Sequence, residues 1–190
     1  MNASDAEDLD RYLDTVLIGG REPRTVEIVD YTSSWPTRFA ADRQRIEDAL
    51  GATAKGIEHV GSTAVPGLAA KPIVDIMVTV DDPDDENSYL PALVEAGYVL
   101  RVREVGHRMF RTPSGDVHVH IWRAGSDDEH RHLLFRDRLR SNAADRTEYE
   151  STKRSLVGRY RDMNHYAEAK SDVIRSILRK ASSPGARSRD

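Results

Sequence analysis

Apolar residues fall at helical spacing near the start of the chain, at Leu9, Tyr12, Leu13, Val16 and Leu17, and two glycines, Gly19 and Gly20, follow. This spacing predicts a short N-terminal helix packed on the main body. "TVEIVDY" alternates instead, with Val26, Ile28 and Asp30 on one face, and predicts a strand. "SSWPTRFAADRQRIEDALG" returns to helical spacing through Phe39, Ile46 and Leu50, with Ser34 as cap, Pro36 in the first turn and Gly51 as the stop. "KGIEHV" and "PIVDIMVTV" are strand candidates joined by a loop of Gly, Pro and small residues. The acidic turn "DDPDDEN" is followed by a helix over "SYLPALVEAG". Three strands come next, Tyr98 to Val102, His107 to Arg111 and Val117 to Trp122, and Pro113, Ser114 and Gly115 turn the last hairpin. From Asp127 the period is helical, broken near Ser141 to Ala143 and near Asp162 to Asn164, which predicts about three helices.

The pattern defines an α+β fold, a small mixed β-sheet flanked by helices and followed by a helical C-terminal section. Residues 1–24 read as an N-terminal extension and 25–181 as one domain, with the sheet part to about 126 and the helical part over 127–181. The tail 182–190, "SSPGARSRD", has the composition of a disordered segment.

Composition narrows the function classes. The 190 residues carry a formal net charge of −4, which argues against a chain-wide nucleic-acid binder, leaves room for a local basic patch, and fits a small-molecule partner better than tRNA or DNA. There is no Cys, so disulfides and thiolate metal sites are excluded. No apolar run approaches the roughly 20 residues of a membrane span. The acidic start "MNASDAEDLD" is unlike a signal or transit peptide, so a cytoplasmic protein without a membrane partner is expected.

Three groups of residues carry candidate chemistry. In "IVDIMVTV" the alternation puts Val74, Ile76, Val78 and Val80 on one face and Ile73, Asp75, Met77 and Thr79 on the other. Asp75 thus shares a face with apolar neighbours, and an ionised carboxylate there needs a cation, a metal or several donors. A structural Asp bonded to loop amides is the plainer alternative. The loop before it, "HVGSTAVPG", brings Gly61 directly after a strand, with His59, Ser62 and Thr63 beside it and Lys71 further on. Glycine lets backbone approach a ligand, and successive amides with hydroxyls can hold phosphate oxygens. The order of a P-loop is absent.

In "DVHVHIW", Asp116, His118, His120 and Trp122 share one strand face. Two imidazoles at alternate positions reach one site, as metal ligands or as a base. In "LLFRDRLR", Arg136 and Arg140 lie on one helix face, with Tyr149 and Lys153 on the next helix, and together they suit an anion. The plainer alternative is a solvated charged helix.

Taken together, "VDYTSSWPTRFAADRQRIEDALG", "IEHVGSTAVPGLAAKPIVDIMV", "VHVHIW" and "LLFRDRLR" resemble the GrpB family, over roughly Thr25 to Ala181. This family also occurs as a C-terminal domain of some bacterial dephospho-CoA kinases and is similar in fold to nucleotidyltransferases. The resemblance implies that Gly61 and Ser62 match the Gly-Ser pair of that superfamily and that Asp75 matches its first metal-binding carboxylate. The second carboxylate should stand where this chain has Met77, and a third would fall near His118 or His120. Methionine cannot ligate Mg²⁺, and imidazoles favour Mn²⁺ or Zn²⁺.

The resemblance implies a nucleotidyltransferase-type transferase with Asp75 at its centre, and this chain's own His118 and His120 are the expected catalytic and metal-binding partners of Asp75 for a divalent Mg²⁺, Mn²⁺ or Zn²⁺ cofactor; a site without metal, with His118 or His120 as general base and Lys71, Arg136 and Arg140 holding the anion, is the alternative. His59, Gly61, Ser62, Thr63, Lys71, Arg136, Arg140, Tyr149 and Lys153 form the expected ligand-binding set. A non-catalytic nucleotide- or coenzyme A-binding module, and an acyl- or aminoacyl-transfer enzyme using the same pocket, are the alternatives.

Overall fold

The computed structural model describes residues 3–22, 25–160 and 162–183. Among the described residues, five strands form one sheet: β1 (Gly56–Val60), β2 (Val74–Val80), β3 (Val99–Glu104), β4 (His107–Arg111) and β5 (Val117–Arg123), in the spatial order β1-β2-β5-β4-β3. β2 and β5 pair in parallel, and the other neighbours are antiparallel. The fold is therefore α+β with a mixed sheet, as the alternation pattern implied.

Register decides what the two faces carry. Val74, Asp75, Ile76 and Met77 lie opposite Val117, His118, Val119 and His120. The valines and isoleucines of both strands point to one side. There they form a core with Phe110, with Trp35, Ile46 and Leu50 of α2 (Ser34–Leu50), and with Tyr89 and Leu93 at α3 (Leu90–Glu95). The out-of-phase residues Asp75, Met77, His118 and His120 all point to the other side.

That second face is closed by the C-terminal helices α4 (Asp127–Ser141), α5 (Ala143–Leu156), α6 (Met163–Glu168) and α7 (Ser171–Ser182). They build a smaller core from Leu139, Tyr149 and Ile177 with Val65 and Leu68 of the β1–β2 loop. Side chains of the helical section also bond the backbone of that loop. Arg140 Nε donates to the Ala64 carbonyl at 3.0 Å, Glu150 Oε2 accepts from the Ala69 amide at 3.2 Å, and Lys153 Nζ donates to the Ala69 carbonyl. The helical section thus fixes the loop from behind.

Several expectations are corrected. "TVEIVDY" is not a strand: only Val29 bridges, exchanging two 2.9 Å bonds with Ala70, and Asp30 is exposed against Arg154. With a single backbone partner in reach, alternation alone cannot build a ladder. Ser33, not Ser34, is the N-cap of α2, and the Thr32 hydroxyl takes the Ser34 amide at 3.2 Å. Among the described residues, the segment from Asp127 forms four helices rather than about three. Asp162 caps α6 by accepting from the Asn164 and His165 amides, and a further break at Ala169 and Lys170 carries no Gly or Pro to announce it. Asp116 leaves the histidine face altogether. It sits in the hairpin turn, accepting from Thr112 and Ser114 and paired with Arg38 at 3.0 Å. Ser182 closes α7, and residues 184–190 of the expected tail lie outside the described residues. α1 (Ala3–Val16) is the expected N-terminal helix, and the residues after it reach the sheet edge, where the Ile18 amide bonds the Arg101 carbonyl at 2.9 Å.

A buried carboxylate holds α2 to the sheet. Asp42 is fully buried and takes Arg38 Nε at 2.7 Å, Arg45 Nη1 at 3.0 Å and the Tyr98 hydroxyl at 2.7 Å. Removing the centre strands three donors, whereas removing one donor costs one bond. We expect Asp42→Ala to lower unfolding stability by about 3 kcal/mol or more and Tyr98→Phe by about 1 kcal/mol, measured by urea denaturation. Equal losses would contradict this assignment.

Candidate functional site

The site begins with one glycine. β1 ends at Val60, Gly61 turns with φ of 68°, and the 3₁₀ turn Ser62–Ala64 follows. A side chain could not be added at Gly61, because its Cβ would lie 2.5 Å from Asp75 Oδ2. The Gly-Ser turn and the carboxylate are therefore in contact, which only glycine allows.

Around Asp75 the imidazoles converge. Asp75 Oδ1 lies 3.6 Å from His118 Nδ1 and 3.7 Å from His120 Nε2, and one donor atom from each residue fits within 4.8 Å of the others. These gaps exceed hydrogen-bond length. They are near the spacing of about 3.0–3.5 Å between ligands of one ion bound at about 2.0–2.2 Å. Burial pushes the Asp75 carboxyl up, but the approach of His120 and the charges of His118 and Lys71 outweigh it and hold it at about 2. Asp75 is thus an anion with a third of its side chain, 32%, open to the cavity.

Behind the triad stands a second layer. His107 Nε2 meets His120 Nδ1 at 3.1 Å, His107 Nδ1 meets Glu104 Oε2 at 3.2 Å, and the His107 ring stacks on Trp122 at 4.0 Å. Burial, with His120, His132 and Arg108 nearby, pushes the His107 imidazole down to about 2. His132 of α4 also faces the cavity, and burial brings it down to about 4.

The cavity has a volume of about 360 Å³. Its opposite wall is cationic. Lys153 is 2% exposed, and burial lowers it to about 7, helped by Lys170, Arg154 and Lys71. Burial brings Lys170 down to about 8, against the pull of Asp75. Lys71 and Lys170 approach one ring, that of Tyr166, at 5.3 and 4.8 Å, and Lys153 lies 4.9 Å from the Tyr149 ring. Burial raises the Tyr149 hydroxyl to about 12, while Ser62, its hydrogen-bond partner, opposes the shift. A cavity lined by three lysines and one carboxylate is suited to an anion with more than one negative charge.

The structure brings Asp75, His118, His120, Gly61, Ser62, Thr63, Lys71, Tyr149 and Lys153 to this one cavity. It places His59, Arg136 and Arg140 behind the loop. His59 stacks on Phe39 at 4.8 Å, bonds Thr63 Oγ1 at 3.0 Å, and burial lowers it to about 4. Arg136 Nη1 donates to Glu58 at 2.7 Å and to the His59 carbonyl at 3.1 Å. Arg136 and Arg140 therefore tie α4 to β1 and its loop. Sequence reasoning missed Glu104, His107, His132, Tyr166 and Lys170. His107 alone left a signal: pairing β4 against β5 as a hairpin brings it to Trp122 on the histidine face. The other side chains depend on how helices pack, which periodicity does not show.

Met77 shares the face of Asp75 and is 1% exposed, yet offers no oxygen. One carboxylate and two imidazoles fit a single Zn²⁺- or Mn²⁺-like ion, and they do not fit a pair of Mg²⁺ ions.

The sequence profile described as "GrpB protein" matches residues 25–180, and the chain belongs to the GrpB family. It is 53% identical over 166 residues to a UPF0157 protein of Streptomyces coelicolor, covering 87% of this chain and 89% of that one. A dephospho-CoA kinase of Mycolicibacterium paratuberculosis is 28% identical over 186 residues, covering 82% of this chain and 46% of the kinase. Among solved structures, that of the conserved protein GrpB from Enterococcus faecalis superposes with a TM-score of 0.72 at 31% identity, covering 82% of this chain and 96% of the other. Among the described residues, no helix is long and apolar enough to cross a membrane.

Two glycines separate backbone strain from the clash. Gly67 also has positive φ, 76°, but nothing lies near its would-be Cβ. We expect Gly67→Ala to cost about 1 kcal/mol of stability. The clash makes Gly61→Ala costlier and also displaces Asp75, which NMR of the Asp75 and His118 side chains would reveal. Equal effects at the two positions would refute the contact.

Proposed function

We propose that this protein binds a nucleotide or related phosphate-bearing ligand in the Asp75–lysine cavity, with one divalent transition metal, and transfers a nucleotidyl group to a small acceptor. The observation that carries the reading is the polarity of the cavity: an Asp-His-His cluster at a Gly-Ser turn on one wall, Lys71, Lys153 and Lys170 on the other. The Gly61–Asp75 contact supports the match to the nucleotidyltransferase Gly-Ser and carboxylate pair.

In this reading the phosphates lie between the lysines and the amides of the Ser62 turn. An acceptor hydroxyl attacks the α-phosphorus, the bond from that phosphorus to the bridging oxygen of the β-phosphate breaks, the hydroxyl proton passes to solvent water, and pyrophosphate departs towards the lysines. A metal held by Asp75, His118 and His120 would supply charge neutralisation at the phosphate.

A second reading is a binding module without turnover. Met77, in place of the second carboxylate, favours it, and so does the likeness to part of a dephospho-CoA kinase.

Calorimetric titration with ATP, GTP, CTP, UTP and coenzyme A, with and without Mg²⁺, Mn²⁺ or Zn²⁺, tests both. The transferase reading expects metal-dependent nucleotide binding, weakened tenfold or more in Asp75→Ala, with pyrophosphate release once an acceptor is supplied. Metal-independent binding of coenzyme A without turnover supports the module. No binding of any of these ligands overturns both.

The lysines add a pH signature. Below about 7 Lys153 is charged, and Lys170 remains so to about 8. A bound polyanion favours the charged forms, so affinity is lost as the pH rises through these values. ATP affinity is expected to fall several-fold between pH 7 and pH 9.5, and Lys153→Met is expected to be weaker and flatter. An unchanged affinity across that range would remove the lysines from the binding account.

A further inference from the structure

Outside the triad, a polar chain runs away from the cavity through His107 and Glu104, and no part of the proposed reaction uses it. Hydrogen-bond bookkeeping gives it a direction. An ionised carboxylate only accepts, so the 3.2 Å contact of Glu104 Oε2 with His107 Nδ1 requires the proton on Nδ1. A neutral imidazole carries one N–H, which leaves His107 Nε2 as an acceptor. Its partner at 3.1 Å, His120 Nδ1, must then donate. The only N–H of a neutral His120 is now spoken for, and its Nε2 presents a bare lone pair to Asp75 Oδ1, 3.7 Å away. Two acceptors face each other across a gap too long for a hydrogen bond. A cation between them satisfies both.

Packing holds this arrangement in place. The His107 ring lies 4.0 Å from Trp122 with planes 9° apart, and parallel to His120 within 7°. Glu104 is held in turn by the Tyr12 hydroxyl of α1, which donates to its other oxygen. The N-terminal helix is thereby linked to the triad through Tyr12, Glu104, His107 and His120.

We infer that Glu104 and His107 are positioning residues that hold His120 in the Nδ1–H tautomer, with Nε2 free to ligate a divalent transition metal. This rests on the metal reading of the Asp75 site. It also sets apart His118, whose Nδ1 rather than Nε2 faces Asp75. The orienting partner of a metal-bound histidine typically contributes a factor of about 10–100 in metal affinity.

Long-range ¹H–¹⁵N NMR of the metal-free protein reads the tautomer directly and needs no variant. The expected result is a protonated Nδ1 and bare Nε2 on His120, and a protonated Nε2 would overturn the inference. Zn²⁺ and Co²⁺ titrations of the full chain then test its consequence. His107→Phe and Glu104→Ala are expected to weaken binding, the former about 10–100-fold, with a shifted Co²⁺ visible spectrum. His107→Gln, whose amide oxygen can still accept from His120 Nδ1, is expected to recover most of the loss, which a merely structural role would not predict. Glu104 is the more exposed of the two, with 37% of its side chain accessible, so Glu104→Ala keeps the test open should His107→Phe fail to fold. Wild-type binding in both of these variants would overturn the positioning role. Failure of the wild type itself to bind Zn²⁺, Co²⁺ or Mn²⁺ would instead overturn the metal reading, while the NMR result still decides the tautomer.

Discussion

The structure turns on one carboxylate in an apolar strand. Asp75 sits between Ile73 and Met77 on a sheet face that is otherwise closed by helices, and it is ionised. A negative charge in such a place must be answered. The answer comes from three directions: imidazoles from the neighbouring parallel strand, lysines from the helices above, and the glycine turn that lets the backbone come close. Each requires a separate part of the fold to be in place. The sheet register sets His118 beside Asp75, the helical section brings Lys153 and Lys170 over it, and Gly61 removes the side chain that would collide with it.

The two layers of the molecule have different tasks. The core between sheet and α2 is apolar and fixed by Asp42 with its three donors. The opposite layer gives up packing for polarity and encloses a cavity lined by lysines, where burial disfavours the charges of Lys153 and Lys170 and neighbouring cations further disfavour that of Lys153. The Asp75 carboxylate is the anion that partly offsets this burial at Lys170.

Much of this was readable from the residues, and the reasons are specific. Period-two alternation in "IVDIMVTV" and "VHVHIW" reports side-chain direction, so it puts His118 and His120 on one face and Asp75 on the odd-numbered face of its own strand. Gly61 was recognisable because a glycine after a strand and before two hydroxyls serves backbone approach. The failures are of another kind. Alternation in "TVEIVDY" carries no information about whether a neighbour strand exists, and only Ala70 answers Val29. The Arg136 and Arg140 pair looked like an anion site because periodicity gives the helix face but not what that face meets, which is the β1 backbone and its loop. Lys170 and His132 reach the cavity through helix packing over long sequence separations, which leaves no local trace.

The central claim is that the Asp75 cluster holds one metal and the lysine wall holds the phosphates of one ligand. A crystal structure of the protein with Mn²⁺ and a non-hydrolysable nucleotide, read by anomalous scattering, tests it most directly. The account predicts a single anomalous peak at bonding distance from Asp75, His118 and His120, with phosphate oxygens between it and Lys71, Lys153 and Lys170. A cavity with nucleotide but no metal, or phosphates seated anywhere else, would contradict it.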